Sequence, residues 1–174
     1  MKTEIEVIVA DITTLEVDAI VNAANKQLKG GGGVDGAIHR AAGPGLLEES
    51  KRLNGCETGD AKVTGGHDLP ASWVIHAVGP VWGGDKDEKD RLLASCYRVA
   101  VEKAEGLNCE SLAFPAISTG VYGFPPDRAA RVAVGALREA LKGCDSLRRV
   151  ILCCYSEESA AHHRAALDDT GSGG

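Results

Sequence analysis

The sequence predicts an α/β fold in which helices cover both faces of a largely parallel central sheet. Short β-branched runs alternate with segments of helical periodicity along most of the chain. Two of those runs, near residues 111–115 and 150–154, are apolar at nearly every position, as in strands covered by helices on both sides. The length of 174 residues is that of one ordinary domain.

The alternation predicts six strands, in chain order over residues 5–10, 19–22, 61–64, 73–78, 111–115 and 150–154. Helices are predicted over residues 87–106, 127–141 and about 157–167, where apolar residues recur at helical spacing. A shorter helix is predicted to begin near Asp35 and to end at Gly43-Pro44. In such folds ligands bind beyond the carboxyl ends of the strands, which directs attention to the residues there.

The chain shows no internal repeat and no linker that would divide it. We therefore expect one domain over residues 1–168. The remaining residues, 169–174, are mostly glycine and small polar residues, which predicts a flexible C-terminal tail.

Charge and hydropathy exclude several classes of function. The chain has 19 Lys and Arg against 25 Asp and Glu, a formal net charge of −6, so no long-range attraction for nucleic acid is expected. Any phosphate group must then be held by local geometry. No apolar run is long enough for a membrane span, and the N-terminus leads into the first strand without a signal-peptide pattern. We expect a cytoplasmic protein.

Six cysteines are scattered through the chain, with no Cys-x-x-Cys pair and no zinc-ligand spacing. This usage is typical of buried, reduced thiols, and no metal site is expected. No apolar stripe is left over for an obligate interface, so we expect a monomer.

Four consecutive glycines, Gly30 to Gly33, directly precede the predicted short helix. The unpaired N–H groups of a glycine-rich helix start can bind an anion without a lysine. The pattern is neither a Walker loop nor a dinucleotide fingerprint, because the spacing of the glycines differs. Asp35 and His39 lie four residues apart and therefore share one helix face. Each also has a purely structural interpretation, an N-cap for Asp35 and a satisfied, half-buried histidine for His39.

A second candidate phosphate loop, residues 114–125, follows a buried strand and contains glycines and small hydroxyl side chains. Only seven residues are aromatic, and three of them, Tyr122, Phe124 and Tyr155, lie at loop or strand ends. This placement favours stacking on a ring or sugar over core packing. Asp11 follows the first strand, where a cap of the next turn is the favoured role and acceptance of a ligand hydrogen bond the alternative. These features predict a cleft for a nucleotide diphosphate.

Three segments carry a resemblance to a known family: residues 17–25 (VDAIVNAAN), residues 30–44 around the glycines, and residues 117–123. They resemble the macrodomain family, especially the MacroD-type branch and its bacterial O-acetyl-ADP-ribose deacetylases. The resemblance extends from about residue 4 to residue 167. It implies a three-layer α/β/α fold with a mixed, largely parallel sheet of about six strands, and ADP-ribose as the ligand, with no cofactor or metal.

The resemblance also assigns positions in the ligand site. Asp11 corresponds to the acceptor for the adenine amine, with Ile12 beside it, and Tyr155 to an aromatic residue that stacks on adenine. Ser156 replaces the acidic residue expected after that aromatic. The walls around the diphosphate and distal ribose correspond to Gly31, Gly32, Gly33, Val34, Ser118, Thr119, Gly120, Val121 and Tyr122.

The implied reaction is hydrolysis of an ester on the distal ribose of O-acetyl-ADP-ribose or of an ADP-ribosylated Asp or Glu side chain. Asp35 would position and partly deprotonate a water molecule, Asn25 would hold the ribose, and His39 would orient Asp35 or shuttle a proton. A carboxylate is ordinarily a weak base near pH 7. Burial of Asp35, proton transfer through the substrate diphosphate, or positioning of the water alone would each resolve this difficulty.

Two other functions stay open from the sequence. The first is a module that binds ADP-ribose without cleaving it, although the intact set of Asn25, Asp35 and His39 favours the enzyme. The second is regulation of an RNA-processing partner through protein contacts.

Overall fold

A computed structural model describes residues 3–171 and has one six-stranded sheet at its centre. In chain order the strands are β1 (Glu4–Val9), β2 (Ala19–Ala24), β3 (Ala61–Gly65), β4 (Trp73–Val78), β5 (Ser111–Phe114) and β6 (Arg149–Cys154). Their spatial order is β1-β6-β5-β2-β4-β3, and every pair is parallel except β3 with β4. The predicted mixed, largely parallel sheet of six strands is confirmed.

Five helices cover the sheet: α1 (Gly33–Ala42), α2 (Pro44–Lys51), α3 (Lys86–Gly106), α4 (Pro126–Leu141) and α5 (Glu157–Gly171). A single 3₁₀ turn, Ile12–Thr14, follows β1. The predicted helices are present with their boundaries within one residue at most ends. Helix α2 was not predicted, although Pro44 at its first position is a common helix start.

Successive residues of each central strand face opposite layers, as the period of two requires. In β2, Val21 packs into the core formed with α3, α4 and α5, whereas its neighbour Ile20 packs into the core formed with α1 and α2. In β4, Ile75 and Val74 divide between the two cores in the same way. The fold is therefore three layers, α/β/α, with an apolar core on each side of the sheet.

The last helix runs further than the sequence predicted. Helix α5 continues to Gly171, beyond the predicted helix end near residue 167, so residues 169–171 are helical. The physical reason is that no glycine or proline occurs between Leu167 and Gly171. The Arg138 guanidinium also donates a hydrogen bond of 2.9 Å to the Leu167 carbonyl, which satisfies an acceptor near the helix end. Residues 172–174 lie outside the described residues.

All six cysteines are free thiols, and all but Cys144 are buried. Burial raises the pKa of each of these thiols, to about 12 for Cys96 and about 11 for Cys153. The prediction of buried thiols without disulfides agrees with this structure for every cysteine except the partly exposed Cys144. Over residues 3–171, no helix is long and apolar enough to cross a membrane.

Candidate active site

A cleft of about 1010 Å³ opens at the carboxyl ends of the parallel strands, between the loop before α1 and the loop after β5. It contains every residue for which the resemblance implies a ligand contact: Asp11, Ile12, Asn25, Gly31, Gly32, Gly33, Val34, Asp35, Ser118, Thr119, Gly120, Val121, Tyr122 and Tyr155. His39 lies one helical turn behind Asp35 and does not line the cleft. Residues far apart in sequence thus converge on one site.

The charge of the cleft wall is unusual for a candidate phosphate site. The only ionisable side chains with a formal charge among its described lining residues are Asp11 and Asp35, and no lysine or arginine is among them. An anion bound here must therefore be held by backbone N–H groups and helix dipoles.

The start of α1 provides such groups. Gly32 is the N-cap residue, and no side chain caps the first N–H groups of the helix. Gly36, in the first turn, allows the loop to approach closely, since a Cβ atom at this position would lie 2.5 Å from the Gly31 carbonyl oxygen. The predicted glycine-rich anion loop is thus packed directly against its own helix.

The loop after β5 forms the opposite wall and is held by its own backbone. Phe124 N–H donates to the Ser118 carbonyl at 2.9 Å, and Gly123 N–H donates to the Gly120 carbonyl at 3.0 Å. Ser118 is buried with a φ of 67°, and its hydroxyl has no hydrogen-bond partner among the described residues. This oxygen is buried against Gly79, where an added Cβ atom would collide with it, so the hydroxyl does not face the cleft.

The three aromatic residues predicted to stack do not behave alike. Tyr122 lines the cleft, and Tyr155 lies at its open end with 79% of its surface exposed. Phe124 is fully buried, with its ring centroid 4.6 Å from that of Trp82. The stacking prediction is wrong for Phe124, because the turn at Gly123 directs the following side chain into the core rather than the cleft.

Asp11 caps the 3₁₀ turn after β1. Its Oδ1 accepts hydrogen bonds from the Thr13 N–H at 3.0 Å and the Thr13 hydroxyl at 2.7 Å, and these bonds hold the pKa of Asp11 below its ordinary value. The favoured cap interpretation is confirmed. A ligand contact through this residue stays a prediction.

Asp35 is the buried carboxylate of the cleft. It is the third residue of α1 rather than its N-cap, so the N-cap interpretation is wrong. Its Oδ1 accepts a 2.7 Å hydrogen bond from Asn22 Nδ2 and lies 3.4 Å from His39 Nε2. Its Oδ2 faces Gly31, where a Cβ atom would lie 3.1 Å away. The two carboxylate oxygens therefore have different surroundings, one bonded inside the protein and one next to the glycine loop.

His39 is only partly satisfied. Its Nε2 faces Asp35, but its Nδ1 is buried and has no hydrogen-bond partner among residues 3–171. His39 is half-buried as expected, but its interpretation as a fully satisfied histidine is therefore wrong.

Asn25 holds the loop that follows β2. Its Nδ2 donates to the Gly30 carbonyl at 3.0 Å, and its Oδ1 accepts from the Leu28 N–H at 3.0 Å. These bonds fix where the glycine loop begins. Binding of ribose by Asn25 stays a prediction.

Three polar residues beneath Asp35 were missed by the sequence interpretation. Asn22 Nδ2 also contacts His76 Nδ1 at 3.1 Å, and His76 Nε2 lies 2.9 Å from the Thr64 hydroxyl oxygen. Burial, and secondarily the nearby His39, lowers the pKa of His76 to about 3. A signal was present, because Asn22 and His76 each interrupt an otherwise apolar strand.

Metal ligation has no support in the described part of the chain, where no three His, Cys, Asp or Glu side chains cluster in a way that could hold an ion.

Comparison with known proteins adds to this geometry. The chain is 53% identical over 172 residues to O-acetyl-ADP-ribose deacetylase of Klebsiella pneumoniae, which covers 96% of this chain and 98% of that protein. It is 55% identical over 149 residues to ADP-ribose glycohydrolase MACROD2 of Mus musculus, covering 84% of this chain and 31% of that longer protein.

Among solved structures, a mutant Oceanobacillus iheyensis macrodomain with ADPR superimposes with a TM-score of 0.94 at 38% identity, covering 98% of this chain and 95% of that one. The sequence pattern of the Macro domain family matches residues 21–133. By sequence and by fold, this chain belongs to the macro domain family.

Proposed function

We propose that this protein is a hydrolase that binds ADP-ribose and removes ester-linked groups from its distal ribose, acting as an O-acetyl-ADP-ribose deacetylase. The observation that carries the proposal is Asp35: a buried carboxylate with Oδ1 tied to Asn22 and Oδ2 next to the glycine loop of the cleft. A site that only bound ADP-ribose would gain nothing from a carboxylate here, because a negative charge next to the diphosphate opposes binding.

The proposed ligand fits the charge of the site. ADP-ribose carries about two negative charges, and the cleft lining contains no basic side chain. The N–H groups at the start of α1 and in the loop of residues 118–122 would bind the diphosphate, each charge-assisted bond contributing roughly 1.5–3 kcal/mol. Asp11 and Tyr155 would hold the adenine at the other end, and Tyr122 would pack near the distal ribose.

The proposed reaction places a water molecule at Asp35 Oδ2. The water oxygen attacks the ester carbonyl carbon, the bond from that carbon to the ribose oxygen breaks, and the ribose oxygen takes a proton. The products are a carboxylic acid and ADP-ribose. Asp35 positions the water and accepts its proton, Asn25 orients the ribose, and His39 orients Asp35 or passes the proton on.

The comparisons support this proposal. A relative 53% identical over nearly its whole length is named O-acetyl-ADP-ribose deacetylase, and a structural neighbour at 38% identity holds ADPR. A further relative is named ADP-ribose glycohydrolase.

Esters of ADP-ribose with protein Asp or Glu side chains are a second proposed substrate class. A depression of about 350 Å³ adjoins the main cleft and shares Asn25, Gly79 and Tyr122 with it. Its outer part contains Lys26 and Val81, which are exposed. This depression would leave room for an acyl group larger than acetyl.

The proposed setting is the cytoplasm of a bacterium, with the protein acting as a monomer and without a metal or cofactor. Free, buried thiols are typical of a reducing compartment.

The test measures binding and turnover separately, by calorimetric titration with ADP-ribose and by a deacetylation assay on O-acetyl-ADP-ribose. We expect Asp35→Ala to bind ADP-ribose within a few-fold of wild type and to lose turnover by about 100-fold or more. Asp127→Asn, an exposed acidic residue in the first turn of α4, is the control and should match wild type.

Two outcomes contradict the proposal. Wild-type protein that binds ADP-ribose without hydrolysing the ester would be a non-catalytic reader. Protein that does not bind ADP-ribose at all would remove the ligand assignment together with the reaction.

A further inference from the structure

A series of buried hydrogen bonds runs from Asp35 across one face of the sheet to the edge strand β3. Its members, besides Asp35 itself, are Asn22 on β2, His76 on β4 and Thr64 on β3, all three at most 1% exposed. None of these three lines the cleft. Polar side chains at such depth are costly unless they are paired, so the chain of bonds needs an explanation in function or folding.

The direction of each bond follows from the outer end. The Thr64 hydroxyl donates its single hydrogen to the Gly65 carbonyl at 3.1 Å. With that hydrogen on the carbonyl, the hydroxyl oxygen is the acceptor at its 2.9 Å contact with His76, and the imidazole hydrogen lies on Nε2. His76 is neutral, since burial lowers its pKa to about 3. Its Nδ1 is thus a free acceptor.

His76 Nδ1 in turn decides how Asn22 is oriented. The two hydrogens of Asn22 Nδ2 reach two acceptors, Asp35 Oδ1 at 2.7 Å and His76 Nδ1 at 3.1 Å. Rotation of the amide by half a turn would bring its oxygen against both acceptors and lose both bonds. The opposite imidazole tautomer would instead donate to the amide oxygen and favour that rotated state.

We propose that His76 and Thr64 are positioning residues for the reaction at Asp35: Thr64 selects the Nε2–H tautomer of His76, and that tautomer holds Asn22 with its N–H directed at Asp35 Oδ1. The result is a carboxylate with one oxygen fixed inside the protein and Oδ2 left for the cleft. The inference rests on the proposed role of Asp35. Binding of ADP-ribose does not depend on this arrangement, because Asp35 is the only one of the four hydrogen-bonded residues that lines the cleft.

The sharpest test removes only the hydroxyl of Thr64, the hydrogen-bonded residue farthest from Asp35. Thr64→Val keeps the shape of the side chain, and Thr64→Ser keeps the hydroxyl and serves as the matched control. We expect Thr64→Val to lower kcat on O-acetyl-ADP-ribose about 10-fold, as small misplacements of a reacting group do. KM and the Kd for ADP-ribose should stay within about 2-fold of wild type. Thr64→Ser should retain the wild-type kcat.

A second measurement reads the tautomer directly. Nitrogen NMR of the imidazole should show His76 in wild type with hydrogen on Nε2 and none on Nδ1 at pH 7. In Thr64→Val, a population with hydrogen on Nδ1 should appear. The pair His76→Asn and His76→Gln extends the test if Thr64→Val does not fold. Asn places an acceptor near the former Nδ1 and should retain more turnover than Gln, whose polar end lies nearer the former Nε2.

The outcomes separate this inference from the proposed function. Equal kcat for Thr64→Val and Thr64→Ser, or an Nδ1–H tautomer in wild type, would overturn the inference and leave the deacetylase proposal standing. Wild-type protein without turnover would overturn the deacetylase proposal, and the NMR measurement would still decide whether the tautomer holds Asn22 as described.

Discussion

At the scale of single residues, the two aspartates of the cleft each use one carboxylate oxygen for hydrogen bonds within the protein and leave the other without one among residues 3–171. Asp11 uses Oδ1 to hold the turn after β1, and Asp35 uses Oδ1 to bond Asn22. In both residues the other oxygen receives no hydrogen bond from the described residues. A carboxylate held by one oxygen has a fixed direction for the second, which is the condition for positioning a ligand atom or a water molecule.

The buried, neutral His76 makes a prediction about stability and pH. Its pKa is 6.5 in an unstructured chain and about 3 in the folded protein, because burial disfavours the charged ring. Between these values the unfolded chain binds a proton that the folded protein does not. Protonation of this residue therefore does not change the free energy of unfolding well above pH 6.5. As the pH falls from 6.5 toward 3, it lowers the free energy of unfolding by up to about 1.4 kcal/mol per pH unit.

Urea unfolding at pH 7 and at pH 5 checks this for wild type and His76→Gln. The wild-type free energy of unfolding should fall more between the two pH values than that of the variant. Burial lowers the pKa of His163 in the same direction, so the variant should retain part of the effect. Equal losses in the two proteins would contradict the prediction.

At the scale of elements, the decisive feature is the contact between the glycine loop and helix α1. The helix begins at Gly33 without a side-chain cap, and its first N–H groups lie at the cleft. This arrangement requires Gly36 within the first turn, because a side chain there would meet the Gly31 carbonyl. Loop and helix thus form one binding unit.

Gly36→Ala tests that unit. The added methyl group would lie 2.5 Å from the Gly31 carbonyl oxygen, so the loop must move away from the helix and its N–H groups must lose their alignment. We expect the Kd for ADP-ribose, measured by calorimetry, to rise at least about 10-fold, which corresponds to the loss of about one charge-assisted bond.

The matched control is Gly135→Ala in helix α4. No atom lies within 4 Å of the Cβ position there, and the site is exposed. The higher helix propensity of alanine should stabilise that variant by up to about 1 kcal/mol with no change in the Kd. An unchanged Kd in Gly36→Ala would show that the loop tolerates the displacement.

At the scale of the whole molecule, the net charge of −6 and the lining of the cleft act together. The protein as a whole repels an anionic ligand, and no basic side chain in the cleft compensates. Binding must come from dipoles in contact with the ligand, which salt screens little.

This predicts that the Kd for ADP-ribose varies by less than about 3-fold between low salt and roughly 0.5 M NaCl, measured by calorimetry. Weakening by about 10-fold or more would indicate ion pairs with lysine or arginine side chains. Such a result would contradict a site built from backbone N–H groups.

The strands, most of the helices and both loops of the cleft could be predicted from the residues alone. These depend on local patterns: period-two and helical spacing of apolar residues, a glycine run before a helix, and a Gly-Pro pair that ends one. Even the position of Asp35 and His39 on one helix face follows from their spacing. The motif around Asn25 and Asp35 was specific enough to carry the family resemblance across nearly the whole chain.

Which buried polar groups bond to one another depends instead on how the strands and helices pack. Thr64, His76, Asn22 and Asp35 lie on four different elements, and the sheet order β2-β4-β3 brings the three strand residues into one line behind α1. No local pattern encodes that contact. The same holds for Phe124, whose burial against Trp82 depends on the path of a loop rather than on its composition. Hydrogen bonds and ring contacts between distant segments follow from how layers pack, and packing is a property of the whole chain.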